Sequence, residues 1–296
     1  MSLCGGAPDP GAEMLTLIDG HVHLYDNQEV RTLLDGAAGS FRAQGREAGI
    51  HSAWWAGCLA LVDPSGVDGF GRLGREDVPG WTLERVGDCA FEATRESDDT
   101  AMLIIGGRQL RTEAGLEVLA YGLRHPLTDG GSLSDQANKV LKLGAVPVVP
   151  WGFGKWLGRR GSEVEGLLRT SLGDRIVLAD SFTRPALWKE PAAFRVARAH
   201  GVPIVAGTDP LPFPGQEGKA GRYGFLLDLQ EGEVTLGEAL NSRLRSREGS
   251  PRLYGRREGA WSALRLQIAM QLRRRSRDGG TGDIRPRGVG GGNEVL

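Results

Sequence analysis

Two histidines separated by one valine, in Asp19-Gly20-His21-Val22-His23, are the residues of this sequence best placed to do chemistry. Successive strand side chains point to opposite faces, so on a β-strand His21 and His23 share one side and Val22 faces the other. Imidazole is the commonest protein ligand for zinc and related transition metals, and two ligands on one rigid strand lower the ordering cost of adding a third. The apolar run Leu15-Thr16-Leu17-Ile18 supplies the strand, and Asp19 stands where a carboxylate can orient an imidazole through its second ring nitrogen. The competing reading is plain: two surface histidines at a strand end, and Asp19 as a turn residue before Gly20.

A second informative segment runs from Trp151 through Gly152, Phe153, Gly154, Lys155 and Trp156 to Gly158, Arg159, Arg160 and Gly161. It lies between an apolar strand and a helical pattern. Glycines let backbone N–H groups approach an anion, the following helix N-terminus favours negative charge, and Lys155, Arg159 and Arg160 suit phosphate or carboxylate. The spacing is not the GxxxxGK[ST] of a P-loop. Arg184, just after the strand ending in Ala179-Asp180-Ser181, is placed to reach the same mouth, although a solvated basic turn explains these cations equally well. Gly69-Phe70-Gly71-Arg72-Leu73-Gly74 matches GxGxxG formally but lacks the strand-to-helix context of a dinucleotide site. The run Arg273-Arg274-Arg275-Arg277 reads as a dipole-compensating helix end.

The elements that must position these residues follow from periodicity. Short apolar runs alternate with helical patterns, the signature of a mainly parallel sheet covered by helices. Strands are predicted at Leu15–His23, Trp54–Val62, Ala101–Gly106, Glu117–Leu123, Ala145–Trp151, Ile176–Ser181, Pro203–Asp209 and Phe225–Leu229. Helices ending at Gly144, Gly173 and Gly201 separate the later strands, the first opening on Ser132 or Ser134 and the second on Ser162 with Glu165 as a capping box. Glycines and prolines break residues 64–100 into a long loop or insertion. From Thr235 onward two more helices are expected, the second with Trp261, Leu264, Ile268 and Leu272 on one packing face. Residues 1–13 and 278–296 read as flexible tails flanking a single domain over 14–277.

Bulk properties narrow the function classes. The formal net charge of −1 gives no whole-molecule attraction to nucleic acid or to anionic membrane. No apolar run approaches the ~20 residues of a membrane span, and the first residues lack the pattern of a signal peptide, so a cytoplasmic protein is expected. Cys4, Cys58 and Cys89 have no CxxC spacing and read as ordinary thiols.

The segment LTLIDGHVHL resembles the first-strand motif of the amidohydrolase superfamily and of the related PHP phosphoesterases, both metal-dependent barrel families. VPIVAGTDPLPF resembles their late-strand motif, in which an aspartate binds metal and handles the proton of the nucleophilic water; Asp209 occupies that place. GGRQLRTEAGLEVLAYG and GAVPVVPWG are similar to the central segments, so the resemblance spans residues 15–215. It implies an α/β fold: a TIM-like β/α barrel, distorted if need be, of seven or eight strands, with its chemistry at the carboxyl ends of the strands.

The chain also departs from the pattern. No histidine stands near Pro150-Trp151, no acidic ligand near Gln109, and Asp209 is followed by Pro210-Leu211. His51, His125 and His200 fall at surface or capping positions. The resemblance therefore implies one divalent metal, zinc with manganese or iron as alternatives, held by His21, His23 and Asp209. Asp180 is an extra candidate ligand or base. The expected function is a hydrolase using a single-metal-activated water on a small anionic substrate, with Asp209 and Asp180 as catalytic carboxylates and Lys155, Arg159, Arg160, Arg184 and Trp151 contacting substrate. The alternative is a degenerate, non-catalytic barrel that binds a ligand or a partner protein; nucleotide binding through the glycine-rich loops ranks below both.

Overall fold

The computed structural model describes residues 15–50, 55–228, 236–246 and 250–259. Both expected tails, the helix carrying Trp261 to Leu272, the Arg273–Arg277 run and His51 lie outside the described residues.

Eleven strands form one mixed sheet. They are β1 (Leu15–Val22), β2 (Trp55–Asp63), β3 (Trp81–Arg85), β4 (Ala90–Arg95), β5 (Thr100–Arg111), β6 (Glu117–Tyr121), β7 (Pro147–Pro150), β8 (Val177–Ser181), β9 (Ile204–Gly207), β10 (Tyr223–Asp228) and β11 (Leu253–Gly255). The helices are α1 (Val30–Ala48), α2 (Gly69–Leu73), α3 (Leu133–Lys142), α4 (Arg159–Leu168), α5 (Ala192–Ala199) and α6 (Leu236–Ser246). The order along the sheet is β11-β10-β1-β2-β5-β6-β7-β8-β9, with the β3–β4 hairpin attached to β5. The Asp209 amide after β9 donates to the His21 carbonyl of β1 at 2.7 Å, which brings the last parallel strand back to the first and nearly closes the sheet into a barrel.

β1, β2, β5, β7, β8 and β9 run in one direction, so their carboxyl ends share a rim. β6 and β10 run the other way. This departs from an all-parallel (β/α)8 barrel, and the connections explain it. Only Thr112–Leu116 separate β5 from β6, far short of the dozen or so residues a parallel crossover needs. Residues 64–100 are likewise more ordered than their glycines suggest: Asp68 caps α2 by accepting from the Gly71 amide, and β3 and β4 pair in register from Trp81↔Arg95 to Arg85↔Phe91.

The barrel interior is apolar: Ile18, Cys58, Ala60, Val62, Ile105, Leu119, Tyr121, Val148, Val177, Ala179, Val205 and Phe225 form one cluster. Leu240 and Leu244 of α6 join it. Asn241 of α6 accepts from the Val146 amide and donates to the Tyr121 carbonyl, so α6 closes the end opposite the rim. Outside, α1 packs over Leu17, Val22, Leu24, Leu59 and Leu61, whereas α3, α4 and α5 cover Val149, Leu178 and Ile204. Ser132 caps α3 in a reciprocal box with Asp135. α4 starts earlier than its capping pattern suggested, at Arg159 after Gly158, leaving Ser162 inside the first turn. No helix among the described residues is long and apolar enough to cross a membrane.

Gly207 sits at the β9–β1 closure, where a Cβ would collide with the backbone nitrogen and Cβ of His21. Gly207→Ala is therefore expected to cost about 1–3 kcal/mol, the range for overpacking a close-packed site. The urea-unfolding midpoint checks this, and an unchanged midpoint would mean that the two strands do not meet so closely.

Candidate metal centre

A break in β1 aims the histidines. Ile18 lies in the interior cluster, and simple alternation would also turn residues 20 and 22 inward. The register with β2 shifts between Asp19 and Val22, however, and Val22 and Leu24 pack outside against α1. Gly20 still faces Phe225 and the Tyr121 hydroxyl, so Gly20 and His21 are consecutive inward residues, as a β-bulge allows. Without the bulge, His21 and His23 would face α1.

Asp19 holds the break. Its buried carboxylate accepts from the Thr208 amide at 2.8 Å, the Thr208 hydroxyl at 2.5 Å, the Gly221 amide at 2.8 Å and the His21 amide at 3.2 Å. Burial pushes its pKa up to about 6 against the opposing pull of these donors. The ring-orienting partner expected of Asp19 is instead the Val62 carbonyl, 2.7 Å from His23 Nδ1. A carbonyl only accepts, so His23 carries its proton on Nδ1 and presents a bare lone pair at Nε2. Desolvation and the neighbouring His21 lower the pKa of His23 to about 4, which keeps that lone pair free at neutral pH.

Three donors converge. His21 Nε2 and His23 Nε2 are 2.9 Å apart, and Asp209 Oδ1 lies 3.7 and 3.6 Å from them. These separations bracket the ~3.3–3.4 Å edge of a tetrahedron whose metal–ligand bonds are ~2.0–2.1 Å. His21, His23 and Asp209 are the one such metal-capable cluster among the described residues. Asp209 has φ +50°, a left-handed conformation that aspartate tolerates better than most residues, and its amide bond to the His21 carbonyl holds it there. Both histidines are almost fully buried, whereas the Asp209 side chain keeps 22% exposure and so faces the mouth.

Asp180 does not join them. It shares the parity of Leu178, which packs in the outer layer, and strand alternation carries it out of the barrel. There its oxygens take two bonds from Arg184, at 2.6 and 2.5 Å, and one from the Tyr223 hydroxyl at 2.9 Å. The carboxylate predicted as ligand or base and the arginine predicted for substrate thus neutralise each other. Trp151 also lies outside, with Trp156, Trp188 and Arg184 around a cavity of about 200 Å³ between α4 and α5. Arg160 binds the Gly154 carbonyl at 2.7 Å, and Arg159 is exposed. Of the predicted anion-binding residues, Lys155 turns to the barrel mouth, where it pairs with Glu117.

Two residues that sequence reading did not name as site residues line the same inner face. Gln109, near the end of β5, places Oε1 3.0 Å from His21 Nε2. Glu117 opens β6 opposite Arg111, and its charge reaches His23. Because β6 runs backwards, its first residue sits at the rim where the other strands end.

No family model matches this chain, and no curated protein matches it. Among solved structures, it is similar to PsfC from Pseudomonas syringae PB-5123 at 16% identity and TM-score 0.48, over 89% of this chain and 99% of that one. It is also similar to the lesion-specific endonuclease PfuEndoQ from Pyrococcus furiosus at 11% identity and TM-score 0.50, over 81% of this chain. The chain spans 58% of that endonuclease's length. At such identities the likeness is one of fold.

The outward ion pair is separable from the centre. Asp180→Ala leaves Arg184 buried without its partner and is expected to cost about 3–5 kcal/mol of stability. Bound metal per chain, measured on the folded variant by elemental analysis, should match wild type; loss of metal from a folded variant would return Asp180 to the site.

Proposed function

We propose that the protein is a metal-dependent hydrolase acting on a small anionic substrate at the rim of the barrel. The observation that carries this reading is the convergence of the His21 and His23 Nε2 atoms with Asp209 Oδ1 at tetrahedral-edge distances. Two neutral imidazoles and one carboxylate are the donor set of a catalytic zinc-type site with an open position. A divalent ion held there supplies Lewis-acid activation of water.

The chain's own residues do the rest. The Val62 carbonyl fixes the ring of His23 in the tautomer that offers Nε2 outward. Asp209, anchored through its backbone and partly exposed, is placed to accept the proton of an attacking water. Lys155, paired with Glu117 at the mouth, offers an ammonium that an anionic substrate reaches by displacing the Glu117 carboxylate. That a similar fold serves a lesion-specific endonuclease supports hydrolysis as the reaction class. The polar atoms lie above an apolar interior that excludes water from below.

Protein purified without chelator should hold close to one zinc, manganese or iron per chain, and the double variant His21→Ala/His23→Ala should hold none. Metal at a hundredfold over its Kd should stabilise the wild type by about 2.7 kcal/mol in thermal unfolding. Across a panel of small phosphoesters, carboxylate esters and amides, Asp209→Asn should lower turnover by about 10²–10⁴. Wild-type protein that takes up no metal after reconstitution sinks the proposal, and metal uptake without turnover on any substrate favours the non-catalytic barrel. Separately, thermal shifts induced by phosphate or carboxylates should vanish in Lys155→Ala; equal shifts in both proteins would remove Lys155 from the substrate path.

A further inference from the structure

Three polar atoms meet at the rim, the Nε2 atoms of His21 and His23 and Asp209 Oδ1, and a fourth, Gln109 Oε1, lies 3.0 Å from His21 Nε2. Their protons do not balance their lone pairs. His23 spends its proton on the Val62 carbonyl, and the Asp209 carboxylate and the Gln109 carbonyl oxygen have none. A His21 ring with one proton places it either at Nε2, leaving three acceptors for one donor, or at Nδ1, leaving four acceptors and no donor. Such an excess of lone pairs in a largely buried pocket is costly unless a cation accepts them.

Gln109 owes its place there to the sheet. It lies in register with Leu119 of β6, an interior residue, while its neighbour Leu110 packs in the outer layer. Its carboxamide therefore points inward from β5, across the barrel from Asp209.

We propose that Gln109 is the fourth protein ligand of the centre, binding the ion through its carboxamide oxygen. This rests on the metal-centre reading above and extends it. An amide oxygen is a neutral donor, so two imidazoles, one carboxylate and one amide leave a divalent ion with a residual charge of +1. A second carboxylate at this position would cancel that charge. The neutral ligand thus suits the centre to an anionic substrate that completes its shell and leaves no bridging carboxylate for a second ion.

The test measures metal alone, by competition with a chromophoric chelator and by the visible spectrum of the cobalt-substituted protein. Gln109→Ala should weaken cobalt and zinc binding at least about tenfold and change the cobalt bands, because the spectrum responds to the atoms bound to the ion. Gln109→Glu, nearly isosteric and so expected to keep the fold, should bind both ions more tightly as ligand charge rises. Folded Gln109→Ala with wild-type affinity and an unchanged spectrum overturns the inference while leaving the three-residue centre standing. So does a change in affinity with no change in spectrum, which would make Gln109 a partner of His21 only. Wild-type protein that binds neither ion overturns the centre itself, and this inference with it.

Discussion

One buried carboxylate organises the rim. Asp19 gathers donors from its own bulged strand, from the segment after β9 and from the turn before β10. A strand without a bulge would present His21 and His23 to α1. A sheet without the Thr208 bonds would lose two of the hydrogen bonds that hold the end of β9 against β1. Burying a carboxylate is unfavourable unless its oxygens are satisfied, and here four donors satisfy them. The residue predicted to serve one imidazole instead holds in place the backbone from which both imidazoles project.

Charge is sorted by strand face. Pairs that pack outside the barrel, such as Asp180 with Arg184, are buried among aromatic and aliphatic side chains and stabilise the wall. Groups on the inner face at the rim keep partial exposure: Asp209, Gln109, Glu117 and Lys155, the last two paired with each other. The interior below them is apolar and is closed at its far end by α6. The convergent polar groups are thereby confined to one end of the barrel. The aromatic cavity formed by Trp151, Trp156 and Trp188 belongs to the outer layer, between helices, and is separated from the centre by the strand wall.

Much of this was legible in the chain. His21, His23 and Asp209 stand at the ends of apolar runs, and eight of the strands lie where period and composition placed them, within a few residues. What escaped was whatever depends on relations between strands. Asp180 stood as an extra candidate beside Asp209, because both end an apolar run; the parity set by neighbours that pack inside or outside separates them. Glu117 was hidden because the reversal of β6 is a property of its short connection, not of its residues. Gln109 registered only as a missing acid, since its contact is with an imidazole on another strand. The β3–β4 hairpin was masked by the glycines around it, although Trp81, Leu83, Phe91 and Ala93 alternate within it.

The closure between β9 and β1 also bears on the order of events in folding. Asp19 and Thr208 are 189 positions apart, so the clasp forms only after nearly the whole sheet has been laid down. Contacts of such long range must repay a large loop-closure entropy and are expected late on the folding path. The donors of the centre come from both sides of that seam. Their meeting therefore depends on the first strand reaching the segment that follows β9. Partly folded chains present the two histidines without the carboxylate, so the three donors meet only in the finished barrel.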